Sequence, residues 1–485
     1  MPLDLTPALS EVILLFTGLA LLVIGAFRGE EDEPARILAP LAALGLAVAA
    51  VIVIAQDKDR IVGLSGHVVF DGYAAFLKFV VLMGAAVTVV LGTGYMRDQK
   101  IDRFEFPILA VFSALGMSMM VSANSLLTLY MAIELQSLPL YVMAAFNRDN
   151  LRSTESGLKY FVLSSLASGL LLYGCSLVYG FTGTIFFDQI AERAGAAATG
   201  AIGGPQLGIL VGLVFLVAGL AFKLAAVPFH MWTPDVYEGS PSPATAFIAG
   251  APKVAAIGLA VRVLMEPFGG WTAQWQQVVI AISLASMFLG AFAAIGQTNI
   301  KRLMAYSGIN NIGFALMGLA AGNAQGVNGV LVYMTIYLIM VVGTFGCIML
   351  MRRDGQYVET IADLSGLSRS RPMLALAFAI FMFSLAGIPP LAGFFSKLYV
   401  FRAAVDAGLV LFATLGVLAS VVGAYYYLRI IKVIYFDEPA AALDPTPHMT
   451  PAAVAGVSAF LMLLLTVQLG LVEGPAKAAA EALLQ

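Results

Sequence analysis

The chain is a succession of apolar runs with little between them. Fourteen stretches long enough to cross a bilayer follow one another between residues 8 and 471, and one crossing takes about 20 apolar residues. Charge is too scarce for any other solvent. Only 11% of the 485 residues are Asp, Glu, Lys or Arg, and 60% are hydrophobic, where a soluble domain carries about 25% charge. The runs are continuous rather than alternating, which argues against spanning β-strands, whose open edges hydrocarbon cannot satisfy. The sequence predicts an all-α polytopic membrane protein with almost nothing outside the bilayer. The N-terminus carries Asp4 and Glu11 and no basic n-region, so the first run, 8–27, is expected to remain as a helix.

The same residues exclude several functions. A net charge of −3 with no basic run gives nucleic acid nothing to hold. Cys175 and Cys347 are the only cysteines, and an iron–sulfur cluster normally takes four thiolates. His67, His230 and His448 are scattered, which argues against a haem or metal centre. No cofactor and no metal is expected in this chain, so any electrons run elsewhere.

Charge bias orients the runs. One set of loops holds fifteen of the 26 Lys and Arg residues and the other holds six, so the richer set should face the cytoplasm, with both termini on the far side. The remaining five, Lys78, Lys159, Lys223, Lys253 and Lys397, lie within runs. Lys78, near the start of its run, is expected to snorkel to the interface. Lys159 follows Glu155 by one helical turn and can pair with it. Lys253 sits tenth in the run 244–265, and Glu134 is equally central in 126–146 as the one acid expected deep inside a span. A lysine at such depth costs about 2.5–3.5 kcal/mol on the insertion scale. Burying an ion pair is a weak route to stability, which favours function over a structural tie.

Lys223 and Lys397 each stand beside a helix breaker: Pro228 and Pro234 follow the first, and Gly387, Pro389, Pro390 and Gly393 precede the second. Proline removes a donor and clashes with the preceding turn, so the seventh and twelfth helices are expected to be discontinuous. Irregular backbone at membrane depth needs protein or a wet cavity around it. The two breaks are five runs apart, and a repeat of odd length re-enters the membrane upside down. Spans 4–8 and 9–13 are therefore expected to form an inverted five-helix repeat. This divides the chain into 1–104, 105–266, 267–436 and 437–485. The local pattern is not simply repeated, because Lys223 precedes its prolines and Lys397 follows them.

Lysines and a carboxylate linked through broken helices make a candidate proton wire. Lysine relays a proton only when burial lowers its affinity, and a neighbouring carboxylate restores it. The stretch Phe222-Lys223-Leu-Ala-Ala-Val-Pro-Phe-His230-Met-Trp-Thr-Pro-Asp235-Val-Tyr-Glu238-Gly resembles the proton-channel module of respiratory complex I and Mrp-type antiporter subunits. So do Glu134-Leu-Gln-Ser-Leu, Glu155-Ser-Gly-Leu-Lys159, Lys301-Arg-Leu-Met-Ala-Tyr306-Ser and the stretch 387–397. The resemblance covers nearly the whole chain and is weakest over spans 1–3.

That resemblance implies fourteen helices with an inverted repeat, in the membrane arm of a proton-translocating NADH:ubiquinone reductase of a bacterial inner membrane. NADH, FMN, iron–sulfur clusters and quinone would belong to partner subunits, and other membrane-arm subunits would be the neighbours. It implies Glu134 and Lys223 as a coupled pair, Lys253 as central relay and Lys397 as distal terminal group. Glu155 and Lys159 would lie near an access path, and His230 between Lys223 and Lys253 or at a gate. Relatives often carry a histidine after the Ala-Tyr-Ser stretch, where this chain has Asn310 and Asn311; asparagine orders water but does not change charge. Two rivals stand beside this reading: an Mrp-type Na⁺/H⁺ antiporter subunit, and a structural subunit of the arm that moves no protons.

Overall fold

The computed structural model describes residues 4–28, 35–198, 204–445 and 448–484. Nearly all of it is helical. Among the described residues, twelve helices are long and apolar enough to cross a membrane, and two more apolar helices, Glu105–Val121 and Pro372–Ala386, are shorter. Burial sorts them. Ser242–Met265 is buried throughout its most apolar window and Ile300–Ala320 over 94% of it, whereas Thr6–Phe27 and Arg36–Ala55 reach 39%. The chain therefore has inner helices wrapped by protein and outer helices that turn Leu, Val and Phe to lipid.

Helix starts are closed by the residue types that local chemistry favours. Asp71 accepts from the Ala74 N–H (2.7 Å) ahead of Gly72–Leu91, and Ser125 from the Thr128 N–H (3.2 Å) ahead of Leu126–Ala144. Asn299 accepts from the N–H groups of Lys301 (2.8 Å) and Arg302 (3.1 Å) ahead of Ile300–Ala320. Each such cap is worth about 1 kcal/mol, and an N–H left open in hydrocarbon costs more.

Helix Pro205–Leu224 stops at Ala225, which is left-handed at φ 60°. The Ala226 N–H bonds to the Ala221 carbonyl (2.8 Å) and the Ala225 N–H to that of Phe222 (3.0 Å). This is the crossed closure of a Schellman stop. Pro372–Ala386 ends in the same way at Gly387 (φ 79°), with Ile388 bonded to Phe383 (3.1 Å) and Gly387 to Ser384 (3.0 Å). Pro228 and Pro390 both stand three positions beyond the left-handed residue. The two interruptions thus match in backbone geometry, although their lysines do not match in sequence. The chain becomes helical again at Trp232–Gly239 and at Ala392–Asp406.

A third interruption was not anticipated. The run 244–265 forms two helices, Ser242–Ala249 and Ala251–Met265, parted at Gly250 (φ −99°, ψ −103°). Pro252 lacks the N–H that would continue the first helix, so the sequence Gly250-Ala-Pro252 carried the signal. Outside the spans lie two short antiparallel hairpins, Ile61–Gly63 with Val68–Phe70 and Arg352–Arg353 with Gln356–Tyr357.

Two cationic residues are placed differently from expectation. Lys78 does not snorkel: its side chain is fully buried and its Nζ lies 2.8 Å from Glu11 Oε1. Ser118 and Ser10 donate to the same carboxylate at 2.9 and 2.8 Å. Glu11 itself, in the first turn of Leu9–Arg28, is buried. Arg262, counted with the loops by its position near the end of a run, is also fully buried. Its Nη2 donates to both Asp71 carboxylate oxygens (2.9 and 3.0 Å) and its Nη1 to Glu266 (2.7 Å). In both cases a fixed acid partner within the protein replaces water.

Candidate functional site

Glu134 and Lys223 do not touch. Lys223 Nζ donates to Ser164 Oγ (2.7 Å) and Ser137 Oγ (2.9 Å), and lies 3.4 Å from Tyr141 Oη. Tyr141 Oη itself donates to Ser164 Oγ at 2.5 Å. Glu134 accepts from Ser168 Oγ. Ser164 and Ser168 are one turn apart on Leu151–Thr182, and Glu134 and Ser137 share Leu126–Ala144. Serine hydroxyls therefore hold the carboxylate and the ammonium on one pair of helices. The expectation named the acid and the base and missed these hydroxyls. The signal for them was a run of small polar residues at helical spacing.

Lys253 follows the Gly250 break and is 1% exposed. Its Nζ has no hydrogen-bond partner among the described residues. It lies 5.3 Å from the centre of the Tyr237 ring, a cation–π distance, and the Tyr237 hydroxyl is unpartnered too. Lys397 is buried beyond the second stop. Its Nζ donates to the Ala386 carbonyl (2.9 Å) and to Ser420 Oγ (3.0 Å), and lies 4.6 Å from the Phe314 ring centre. The Ala386 carbonyl ends a helix, where the backbone presents partial negative charge.

Helix Ile300–Ala320 connects these two lysines. Gly308 faces Lys253 and Phe314 faces Lys397, a separation of about 9 Å along the axis. Asn310 and Asn311 lie between. Asn311 accepts from Tyr333 Oη (2.7 Å) and donates to the Ser307 carbonyl (2.7 Å) and to Tyr427 Oη (3.2 Å). Ser307 and Tyr427 share a 2.5 Å hydrogen bond, and Asn310 donates to the Met287 carbonyl (2.7 Å). Asn311 is tied into this hydroxyl network, whereas Asn310 is fixed to backbone.

Glu155 and Lys159 line an open cleft of about 210 Å3 together with Asp235, Glu238 and Arg302. Lys159 Nζ lies 2.7 Å from both Glu155 and Asp235, and Arg302 Nη1 lies 2.7 Å from Asp235 and 2.9 Å from Glu238. Asp235 is the shared acceptor that joins helices Leu151–Thr182 and Ile300–Ala320 through the short helix Trp232–Gly239. Tyr237, which faces Lys253, belongs to that same short helix. His230 is half-buried, its Nδ1 is unpartnered, and it makes no hydrogen bond to Lys223 or Lys253.

Comparison with known proteins gives the family. Residues 123–423 match the family described as NADH:quinone oxidoreductase/Mrp antiporter, transmembrane. The NADH-quinone oxidoreductase subunit N of Rhodospirillum rubrum is 54% identical over 482 residues, covering 99% of this chain and 98% of that protein. A chain of respiratory complex I from Thermus thermophilus with bound aureothin superposes with a TM-score of 0.81 at 33% identity, covering 97% of this chain and all of that one. A chain of the Mrp complex from Dietzia sp. DQ12-45-1b superposes with a TM-score of 0.86 at 22% identity over 99% of this chain and 98% of that one, a likeness of fold. The chain belongs to the NADH:quinone oxidoreductase/Mrp antiporter family and, within it, to the subunit N group of respiratory complex I.

Proposed function

We propose that this chain translocates protons in the membrane arm of a bacterial NADH:ubiquinone oxidoreductase, through a relay of Glu134, Lys223, Lys253 and Lys397. The observation that carries the reading is Lys253, a buried amine at membrane depth with no hydrogen-bond partner among the described residues. Such a residue is costly to insert, so a fold that keeps it uses it. The other two lysines of the line also stand beside helix breaks. Quinone reduction in partner subunits supplies the energy, and NADH, FMN, the iron–sulfur clusters and quinone reside there. Other membrane-arm subunits flank the chain.

A proton gained by an amine of the line makes an ammonium, and its release regenerates the amine. Ser137 and Ser164 hold the Lys223 ammonium by accepting from it. Asn310 and Asn311 order the path beyond Lys253 without titrating. Glu155 and Lys159 flank the access cleft, and His230 gates it. Fourteen spans arranged as an inverted repeat of 4–8 and 9–13 belong to the same reading, supported by the matching stops at Ala225 and Gly387. Both termini face the periplasm, as the loop charges favour.

The test uses inverted membrane vesicles carrying Lys253→Met in an otherwise intact complex. Proton uptake per NADH oxidised should collapse, or coupled turnover should slow by about tenfold or more. Unchanged uptake at unchanged turnover would leave the chain a structural spacer. Sodium-for-proton exchange without NADH would make it an antiporter.

A further inference from the structure

A cleft of about 640 Å3 lies where Glu105–Val121 starts, Leu126–Ala144 ends and Leu151–Thr182 starts. Those three termini share one end of the bundle, so the cleft has a polar mouth and an apolar depth. Arg103, Glu105 and Arg148 stand at the mouth; Leu138, Val142 and Phe161 line the depth. The three apolar side chains are each about half exposed, at 54%, 52% and 48%. The Arg148 side chain is exposed and makes no ion pair among the described residues. Glu105 has one carboxylate oxygen without a hydrogen-bond partner.

We infer that this cleft binds an aminophospholipid, with its phosphate on Arg148, its ammonium on Glu105 and an acyl chain along Leu138, Val142 and Phe161. Basic residues at a membrane surface recruit lipid phosphate, and guanidinium matches its geometry. A carboxylate in the same mouth repels a purely anionic headgroup and favours one that also carries an ammonium. A flexible acyl chain fits the available space.

The site also touches the polar line. The Tyr141 ring forms part of the cleft wall, while its hydroxyl bonds Ser164 and lies against Lys223. A bound lipid would hold that ring and keep water from reaching Lys223 on this side. This consequence rests on the relay reading; the binding itself does not.

The experiment labels the intact purified complex, in nanodiscs, with a photoactivatable phosphatidylethanolamine and maps the crosslinks. Peptides carrying Val142 and Phe161 should be labelled, and unlabelled phosphatidylethanolamine should compete better than phosphatidylglycerol or phosphatidylcholine. Arg148→Ala should lower labelling about tenfold, the worth of one charge-assisted hydrogen bond. Glu105→Gln should shift the preference toward phosphatidylglycerol, and Val142→Trp should fill the depth and abolish labelling. Neither rim residue belongs to the relay, so turnover with Glu105→Gln reports assembly. Absence of labelling in the wild-type complex would overturn the proposal and leave the cleft to a neighbouring subunit. Equal competition by all three lipids would overturn it as well and make the surface an unselective lipid contact.

Discussion

Gly308 faces Lys253 so closely that a Cβ at 308 would lie 2.6 Å from the lysine Nζ and 3.2 Å from the Tyr337 hydroxyl. The lysine terminus is flexible and can withdraw, whereas the helix backbone behind Gly308 cannot. Gly308→Ala is therefore expected to leave the complex assembled, at the low end of the about 1–3 kcal/mol that overpacking costs. Proton uptake per NADH should nevertheless fall, because the ammonium no longer occupies its place. Thermal melting and proton uptake in inverted vesicles separate the two effects.

The serines beside Glu134 and Lys223 provide a second test. Ser164→Ala removes an acceptor from the Lys223 ammonium, and Ser168→Ala removes a donor from Glu134. A hydrogen bond to a charged group is worth about 1.5–3 kcal/mol, so each change should slow proton-coupled turnover by roughly ten- to a hundredfold. The double variant should lose less than the sum, since both act on one acid–base pair. Strict additivity would mean that the two groups do not communicate.

The buried pair of Glu11 and Lys78 belongs to stability. Lys78→Met strands a carboxylate in the interior, at a cost of about 3–5 kcal/mol. Glu11→Gln combined with Lys78→Met removes both charges and should recover most of the loss. Yield and melting temperature of the assembled complex report this. Proton uptake per NADH should stay at the wild-type level wherever assembly succeeds.

Asp235 joins Lys159 and Arg302 in a cleft where all three side chains are about a third exposed. Exposed pairs contribute only about 0–1 kcal/mol and are screened by salt. Asp235→Asn should barely alter stability, yet it should make turnover less sensitive to ionic strength. Salt titration of NADH oxidation in the two proteins checks this.

A loop outside the spans gives a prediction about pH. Burial pushes the Asp363 carboxyl up, but hydrogen bonds from Thr360 and Arg353 outweigh it and hold it below its ordinary 3.8. A carboxyl lowered on folding contributes stability above its unfolded value and loses it as pH falls through the folded one. Amide protection across Ile361–Leu364 should therefore be steady above about pH 5 and decline only in stronger acid. In Asp363→Ala it should be weak throughout, since the bonds that Thr360 and Arg353 donate to the carboxylate are lost.

Hydropathy reveals how many apolar runs exist and which lysines they enclose, because insertion cost is a property of single residues. It does not reveal what those lysines meet. Glu11 and Lys78 are 67 positions apart on different helices, and nothing in the sequence pairs them. Arg262 looked like a loop residue because it lies near a run's end, and only the fold brings Asp71 beside it. Lys253 was legible as central, but the Gly250 interruption beside it was obscured by the unbroken hydrophobicity around it. Asp235 and Arg302 were visible within motifs whose shared cleft forms only in three dimensions.

The two Schellman stops bear on how such an interior could move. A bent helix stores an alternative, since it can straighten. A helix whose last carbonyls are already closed by crossed bonds has no such freedom unless both bonds open. Ala225 and Gly387 therefore act as fixed sockets. Around them only side chains and water can be rearranged, so the switching parts of this machine are expected to be its longest flexible arms, the lysines themselves.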